Sequence, residues 1–405
     1  MITAGGGTGT ITMFLGEQLN HTNSEVLDLE ISNSSITISQ KRARVRNLQN
    51  IIWIHTWIES VRFLGLGFFD DLQASGVLHH LKYPLLGLKL LKDVLTINGG
   101  MSLMVYAQYG RTAIYQMQHM FKFYTKHDIE KEIYFANETL KFLPKDNWFI
   151  LNPIVSDHKA GNIGIYDLLL HKRDVAYSIS TLFNWMELGG IHFIEFDSFK
   201  KRSMFKVGNA ITDTSISKQI YSKNRALQLN ALELLRGNVV KHEFYASKMK
   251  NSVADLLDTS NVLYLYGSPS GFRDALSNEE NQVMIGNELY FRCLISRSSL
   301  KKTLLDFKSL PHKAPLGLHH ISAYFKWNTF NRFILNSLLT SNKGIVLDSV
   351  LRKISINNSS NLQIIRLLKD FYDSVKDTEM FLLRKNGVGI FPKTAFNSYF
   401  QIHSF

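Results

Sequence analysis

Cysteine is nearly absent from this chain: Cys293 is the single one in 405 residues, so no internal disulfide framework can form and a reducing, cytoplasmic setting is expected. Long apolar runs are missing as well. None approaches the ~18 residues that a membrane-spanning helix requires, so no span is expected. Histidine is plentiful, at 14, but shows no recognised metal-ligand spacing beside that lone cysteine. His79 and His80 are adjacent rather than one helical turn apart, so their side chains diverge and no metal is expected. Internal repeats, low-complexity tracts, zinc knuckles and RNA-binding signatures are all lacking. Asn20-His21-Thr22 and Asn33-Ser34-Ser35 fit the glycosylation pattern, but without a secretory signal they read as ordinary polar positions.

What is present fits a large globular protein. The composition is 45% hydrophobic and 20% charged, ample for a core and, by length, for two or more domains. The net charge of +12 raises the question of polyanion binding, since Lys and Arg neutralise phosphates. Its densest patches are Lys41-Arg42-Ala43-Arg44-Val45-Arg46 and Lys200-Lys201-Arg202. The first lies on a predicted helix, where a solvated face is the simpler account. A nucleic-acid partner is therefore the weaker expectation.

Strand-like runs at 1–4, 25–30, 51–55, 70–75 and 101–107 alternate with helical patterns near 9–19, 33–46 and 84–94. That alternation predicts an α/β fold built on a parallel sheet. Residues 108–178 read as a helical insertion, broken by Pro144 and Pro153. An amphipathic helix from Ser180 to Leu188 follows, ended by Gly189-Gly190, and then a strand from Ile191 to Phe196. Further on, Ala226–Leu235 and Ala246–Leu257 read as helices and Glu288–Ile295 as a strand. Three helical patterns lie around Phe330–Leu339, Leu347–Ile354 and Leu362–Val375, with a strand-like Met380-Phe381-Leu382-Leu383 after them.

The most specific local feature is Ala4-Gly5-Gly6-Gly7-Thr8-Gly9, directly behind the first strand. Glycine lets a backbone pass close under a ligand, because it lacks Cβ and tolerates positive φ. The dinucleotide fingerprint needs a third glycine where Thr10 or Thr12 stands, whereas Gly5-x-Gly7-x-Gly9 fits a G-x-G-x-G loop. Glu30 ends the second strand, where an acid can accept hydrogen bonds from ribose hydroxyls. Ser75-Gly76-Val77-Leu78-His79-His80-Leu81 follows the fourth strand.

In these residues the chain resembles class I S-adenosylmethionine (SAM) methyltransferases, over residues 1–107 and more weakly to 198. The resemblance implies a Rossmann-like sheet, SAM as cofactor, and a small-molecule methyl acceptor. RNA or protein methylation, or a catalytically impaired scaffold of the same fold, are the alternatives. It implies that Gly5, Gly7 and Gly9 lie against the methionine and ribose of SAM. Glu30 would hold the ribose, Trp57 and Ile58 the adenine, and Ser75 would belong to the loop S-x-V-L-H-H-L typical of small-molecule enzymes. Asn98-Gly99-Gly100 resembles a turn before strand five. The family carries a helical segment ahead of strand one, and this chain opens inside that strand, so a truncated start is expected. Thr3 stands where the family often has an acid near the methionine amine.

Methyl transfer needs in-line positioning and, for a protonated acceptor, a base. His79, His80 and Tyr106, after strands four and five, are the expected catalytic groups, because α/β sheets bind ligands at the carboxyl ends of their strands. His158 in the insertion joins them. Asp157, His171, Asp174 and Tyr177 form a dense polar set in the same insertion and are the expected acceptor-binding residues. The expected domains are a methyltransferase domain at 1–198 with 108–178 as its lid, an accessory α+β region at 199–326, and a small helical module at 327–405.

Overall fold

The computed structural model describes residues 1–20, 23–124, 128–152, 156–197 and 204–250, and then 262–265, 282–285, 288–296, 320–326, 331, 333–334, 337, 345–355, 361–375 and 381–384. Two compact units divide the chain: Met1–Gly16 with Ser24–Lys250, and Glu17–Asn23 with Asn251–Phe405.

The first unit begins as strict alternation: β1 (Ile2–Ala4), α1 (Thr10–Leu19), β2 (Val26–Glu30), α2 (Asn33–Val45), β3 (Ile51–His55), β4 (Phe69–Ser75), α3 (Pro84–Asp93) and β5 (Leu95–Tyr106). Every residue of β1 and β2 is buried, as parallel strands covered on both faces require. The insertion follows as α4 (Thr112–Tyr124), α5 (Ile129–Lys141), α6 (Trp148–Leu151) and α7 (Asn162–Ile165), the last running into a π-type turn over Tyr166–Leu170. It has a core of its own, in which Ile114, Met117, Phe121, Phe149 and Leu168 pack together. The chain returns to the sheet through α8 (Ile179–Gly189) and β6 (His192–Phe196). Ser178 and Thr181 form a reciprocal cap at the start of α8, and Gly190 ends it in the left-handed conformation at φ 72°.

Three helices, α9 (Val207–Ala210), α10 (Thr214–Tyr221) and α11 (Arg225–Arg236), then lead to β7 (Lys241–Ser247). The sheet has seven strands in the order β3-β2-β1-β4-β5-β7-β6, with β7 antiparallel to both of its neighbours. This moves the expected boundary at 198, because the unit cannot close without β7 and extends to Lys250. It also corrects the helix expected from Ala246: that residue is in β7, paired with Met101. His242, Phe244 and Ala246 are buried while Tyr245 is exposed, a period of two that identifies a strand. The rest of the expected helix lies largely outside the described residues.

A second correction concerns Asn98-Gly99-Gly100, which is part of β5 rather than a turn before it. Between the pairs Phe69↔Leu95 and Asp71↔Gly100, β4 advances two residues and β5 five, so the glycine pair is taken up in a bulge.

Among the described residues of the second unit, the strands 320–326, 288–296 and 282–285 form one antiparallel sheet, and 345–346, 262–265 and 381–384 another. The helices Leu347–Ser355 and Asn361–Val375 lie in this unit too. The strand Glu288–Ser296 and both helices fall where the sequence pattern places them.

Candidate active site

The glycine loop occupies the carboxyl edge of β1. The Gly5 amide donates to Leu29 O at 2.8 Å, carrying the β1–β2 ladder into the loop, and the Gly9 amide closes the turn on Gly6 O. Gly5, Gly7 and Gly9 all have positive φ, at 71°, 56° and 88°. Side chains are excluded at two of them by space as well. A Cβ on Gly5 would meet Val77 Cγ2 at 2.6 Å, and one on Gly9 would meet Ser39 Oγ at 2.3 Å. Gly7 is different: no atom lies within 4 Å of where its Cβ would be. The loop apex is therefore open on one side, and α1 begins immediately behind it, its N-terminal amides directed toward the loop.

Glu30 sits at the mouth of that opening. Its carboxylate accepts from the Gly7 amide and from the Ser32 amide, both at 2.8 Å, tying the loop apex to the N-terminus of α2. Arg42, on α2, donates to Thr8 O at 2.8 Å and braces the loop from its outer side. The basic run therefore has one member with a structural task that sequence alone does not show. Trp57 stands at the head of the turn after β3 and is 62% exposed, whereas Ile58 is buried in the main core. Ser75 is exposed at the end of β4, followed by Gly76 at φ 76°.

A second cluster lies at the ends of β4 and β5. The His79 ring centroid is 4.0 Å from that of Tyr106 and 4.1 Å from that of His80, which in turn lies 4.1 Å from His171. The insertion supplies the connection. Val175 N donates to His79 O and Tyr177 N to Tyr106 O, so the segment 173–177 runs along the ends of both strands. His80 Nδ1 lies 2.7 Å from Arg173 O, and His171 Nδ1 2.5 Å from the same oxygen. A carbonyl only accepts, so His80 carries a proton on Nδ1 and its neutral ring presents the Nε2 lone pair, whereas His171 Nδ1 also receives the Arg173 amide at 3.2 Å.

His79 is buried and neither ring nitrogen has a hydrogen-bond partner among the described residues. Burial, together with the positive fields of His80, Arg111 and His171, pushes its pKa down to about 2. It stays neutral and is a weak base. Burial raises the Tyr106 hydroxyl to about 12, helped by Asp167, Asp174 and Asp157 and opposed by Arg111. That hydroxyl remains a donor at neutral pH.

Beneath the cluster is an ion pair that the sequence did not announce. Arg111 and Asp174 meet at 3.2 Å with side chains 5% and 2% exposed. Tyr115 and Gln118 also donate to Asp174, and the Arg111 guanidinium stacks 3.5 Å from the centre of the Tyr106 ring. Asp174 is thus engaged below Tyr106. Tyr177 is fastened near the site by its backbone, but its ring packs on Trp185 in the core. His158 stands apart, with its ring against Phe149 of the insertion. Asp157 is exposed and close enough to act on Tyr106. No group of three or more His, Cys, Asp or Glu among the described residues could hold a metal ion.

Two features now coincide: a sheet ordered 3-2-1-4-5-7-6 with strand seven reversed, and a glycine loop and acid on the carboxyl edges of β1 and β2. PKMT2 of Rickettsia typhi, solved in complex with AdoHcy, superposes on 95% of this chain and 71% of its own with a TM-score of 0.53, at 13% identity. Without the ligand, PKMT2 gives 0.52 over the same shares, at 12% identity. The chain has the class I SAM methyltransferase fold. This methyltransferase-fold chain is also 26% identical to syc1184_c, an uncharacterized protein of Synechococcus sp., over 294 residues, 67% of each chain. No protein-family model matches it. No helix among its described residues is long and apolar enough to cross a membrane.

Proposed function

We propose that the protein is a SAM-dependent methyltransferase acting on a small-molecule acceptor. One observation carries this reading: an open glycine loop with a carboxylate at its mouth stands on the same sheet edge as a cluster holding an oriented imidazole, His80, and a tyrosine hydroxyl. Gly5–Gly9 and Glu30 would hold the cofactor, with its methionine and ribose beside Gly7, where no atom lies within 4 Å of a Cβ position. SAM supplies a methyl group on a sulfonium, whose loss leaves a neutral thioether.

The residues of the chain do the rest. His80 Nε2, oriented by the Arg173 carbonyl, accepts the proton of the acceptor's hydroxyl or amine. The Tyr106 hydroxyl, held protonated, donates to the acceptor and fixes its approach. His171, held against the Arg173 backbone, lines the acceptor side with Asp157. His79 packs behind His80 as a neutral ring and leaves proton transfer to its neighbour.

Calorimetric titration with SAM, followed by tritiated methyl transfer from SAM into fractionated cell extract, tests this. Label is expected in the small-molecule fraction, unaffected by nuclease or protease. Label that protease or nuclease releases would assign a protein or RNA acceptor instead. Absence of SAM binding would leave only a scaffold role for the fold.

A further inference from the structure

Asp28 lies in β2, two residues before Glu30, and is fully buried. The Thr3 hydroxyl of β1 donates to one of its oxygens at 3.1 Å and the Thr12 hydroxyl of α1 to the other at 2.9 Å. The Gly6 amide adds a third bond from the glycine loop. Gly6 fits so closely that a Cβ there would lie 2.0 Å from Oδ1. Strand, loop and helix therefore converge on one carboxylate directly under the loop.

No cation among the described residues compensates it. Its register partners on β1 and β3 are Thr3 and Trp53, and no ion pair among the described residues includes it. The charged group that bears on it is Glu30, which repels. Burial raises its pKa to about 6, against the Thr12 and Thr3 bonds. For a carboxyl whose pKa is raised by folding, ionisation subtracts stability as pH climbs from the unfolded value toward about 6. Above about pH 6 ionisation places on Asp28 a buried negative charge with no ion-pair partner among the described residues, which an amide of the same shape would avoid. A group kept at such a cost points to function.

We infer that Asp28 is a positioning carboxylate that holds the glycine loop through Gly6 and serves as counter-charge for the cationic sulfonium cofactor, favouring it over the neutral thioether product. The inference rests on the cofactor reading above. Thr3 is the β1 residue in register with Asp28 and donates to it, so the charge under the loop comes from β2.

The test is Asp28→Asn in the full chain. Its amide can donate to Thr3 or Thr12, whose hydroxyls can turn to accept, and its oxygen still receives the Gly6 amide. Calorimetry with SAM and with AdoHcy is paired with thermal melting of the free protein. The variant is expected to bind SAM about tenfold weaker and AdoHcy nearly as well as wild type, while melting at the same temperature or higher. Equal weakening toward both ligands with a lower melting temperature would mean a purely structural anchor and overturn the inference. Unchanged selectivity with unchanged affinity would overturn it too. If Asp28→Asn does not fold, the exchange Thr3→Asp with Asp28→Thr returns the charge to the neighbouring strand. Preference for SAM in that exchange supports the inference, and binding without preference overturns it. Wild type that binds neither ligand overturns the cofactor reading itself, a result distinct from wild type and Asp28→Asn binding alike.

Discussion

The two sides of the sheet edge are built on opposite plans. Around β1 and β2 the loop is nearly all backbone, with glycines, two carboxylates on one strand and open space beside Gly7. Around β4 and β5 the space is filled with rings, and a buried Arg111–Asp174 pair underlies them. One side presents amides and negative charge, suited to a cationic nucleoside whose shape does not vary. The other presents imidazoles and a phenol fixed by the insertion, suited to an acceptor that differs from enzyme to enzyme. The first side depends on the absence of side chains and the second on their packing. They should fail in different ways when mutated.

The largest effect is expected on the ring side. Arg111→Met leaves Asp174 buried without its cation, which costs about 3–5 kcal/mol, read as a lowered urea midpoint. Adding Asp174→Asn should recover much of that loss. A shift below about 1 kcal/mol in the single variant would show that Tyr115 and Gln118 suffice, and that the ring side does not rest on a charge pair.

On the loop side, Gly7→Val forces a β-branched residue into positive φ and into the open space. SAM affinity should fall at least about 100-fold, with Glu30→Ala following at about tenfold. Equal affinity for wild type and Gly7→Val by calorimetry would remove the loop from the cofactor site.

A smaller contrast is in acid sensitivity. His79 has its pKa lowered to about 2 in the fold, so between that value and the ordinary 6.5 the unfolded chain binds more protons and stability falls as pH falls. Asp28, raised to about 6, acts in the opposite sense between 3.8 and 6. His79→Phe should flatten the decline of the urea midpoint between pH 6.5 and 4, and Asp28→Asn should steepen it. The same slope in His79→Phe as in wild type would mean that His79 is hydrated and titrates normally.

The smallest effect is reserved for the outer brace. Arg42→Met removes an exposed hydrogen bond to Thr8 and should weaken SAM by about twofold, with no change in the acceptor's KM. A loss as large as that of Glu30→Ala would make the brace part of the binding site.

Much of the glycine-loop side could be read along the chain. The glycine phase, the acid ending β2, the helix after it and the helix read from Ser180 to Leu188 with its glycine stop all depend on backbone geometry within a few residues. Their signals are local, because φ limits and unpaired helix-end amides are properties of short segments. The first five strands were legible for the same reason, as short strand-like runs alternating with helical patterns and set apart by turns. Tertiary structure decided the rest. β7 looked helical at Ala246 until pairing with β5 and β6 set its period. Asp174 read as a substrate group, and Arg111, 63 residues earlier, claimed it. His80 read as one of two equivalent histidines until a carbonyl 93 residues away chose its tautomer, while burial took basicity from His79. Long-range partners, desolvation and the field of neighbouring charges exist only once the chain is packed, and they make two adjacent histidines unlike and turn a polar residue of the insertion into half of a buried ion pair.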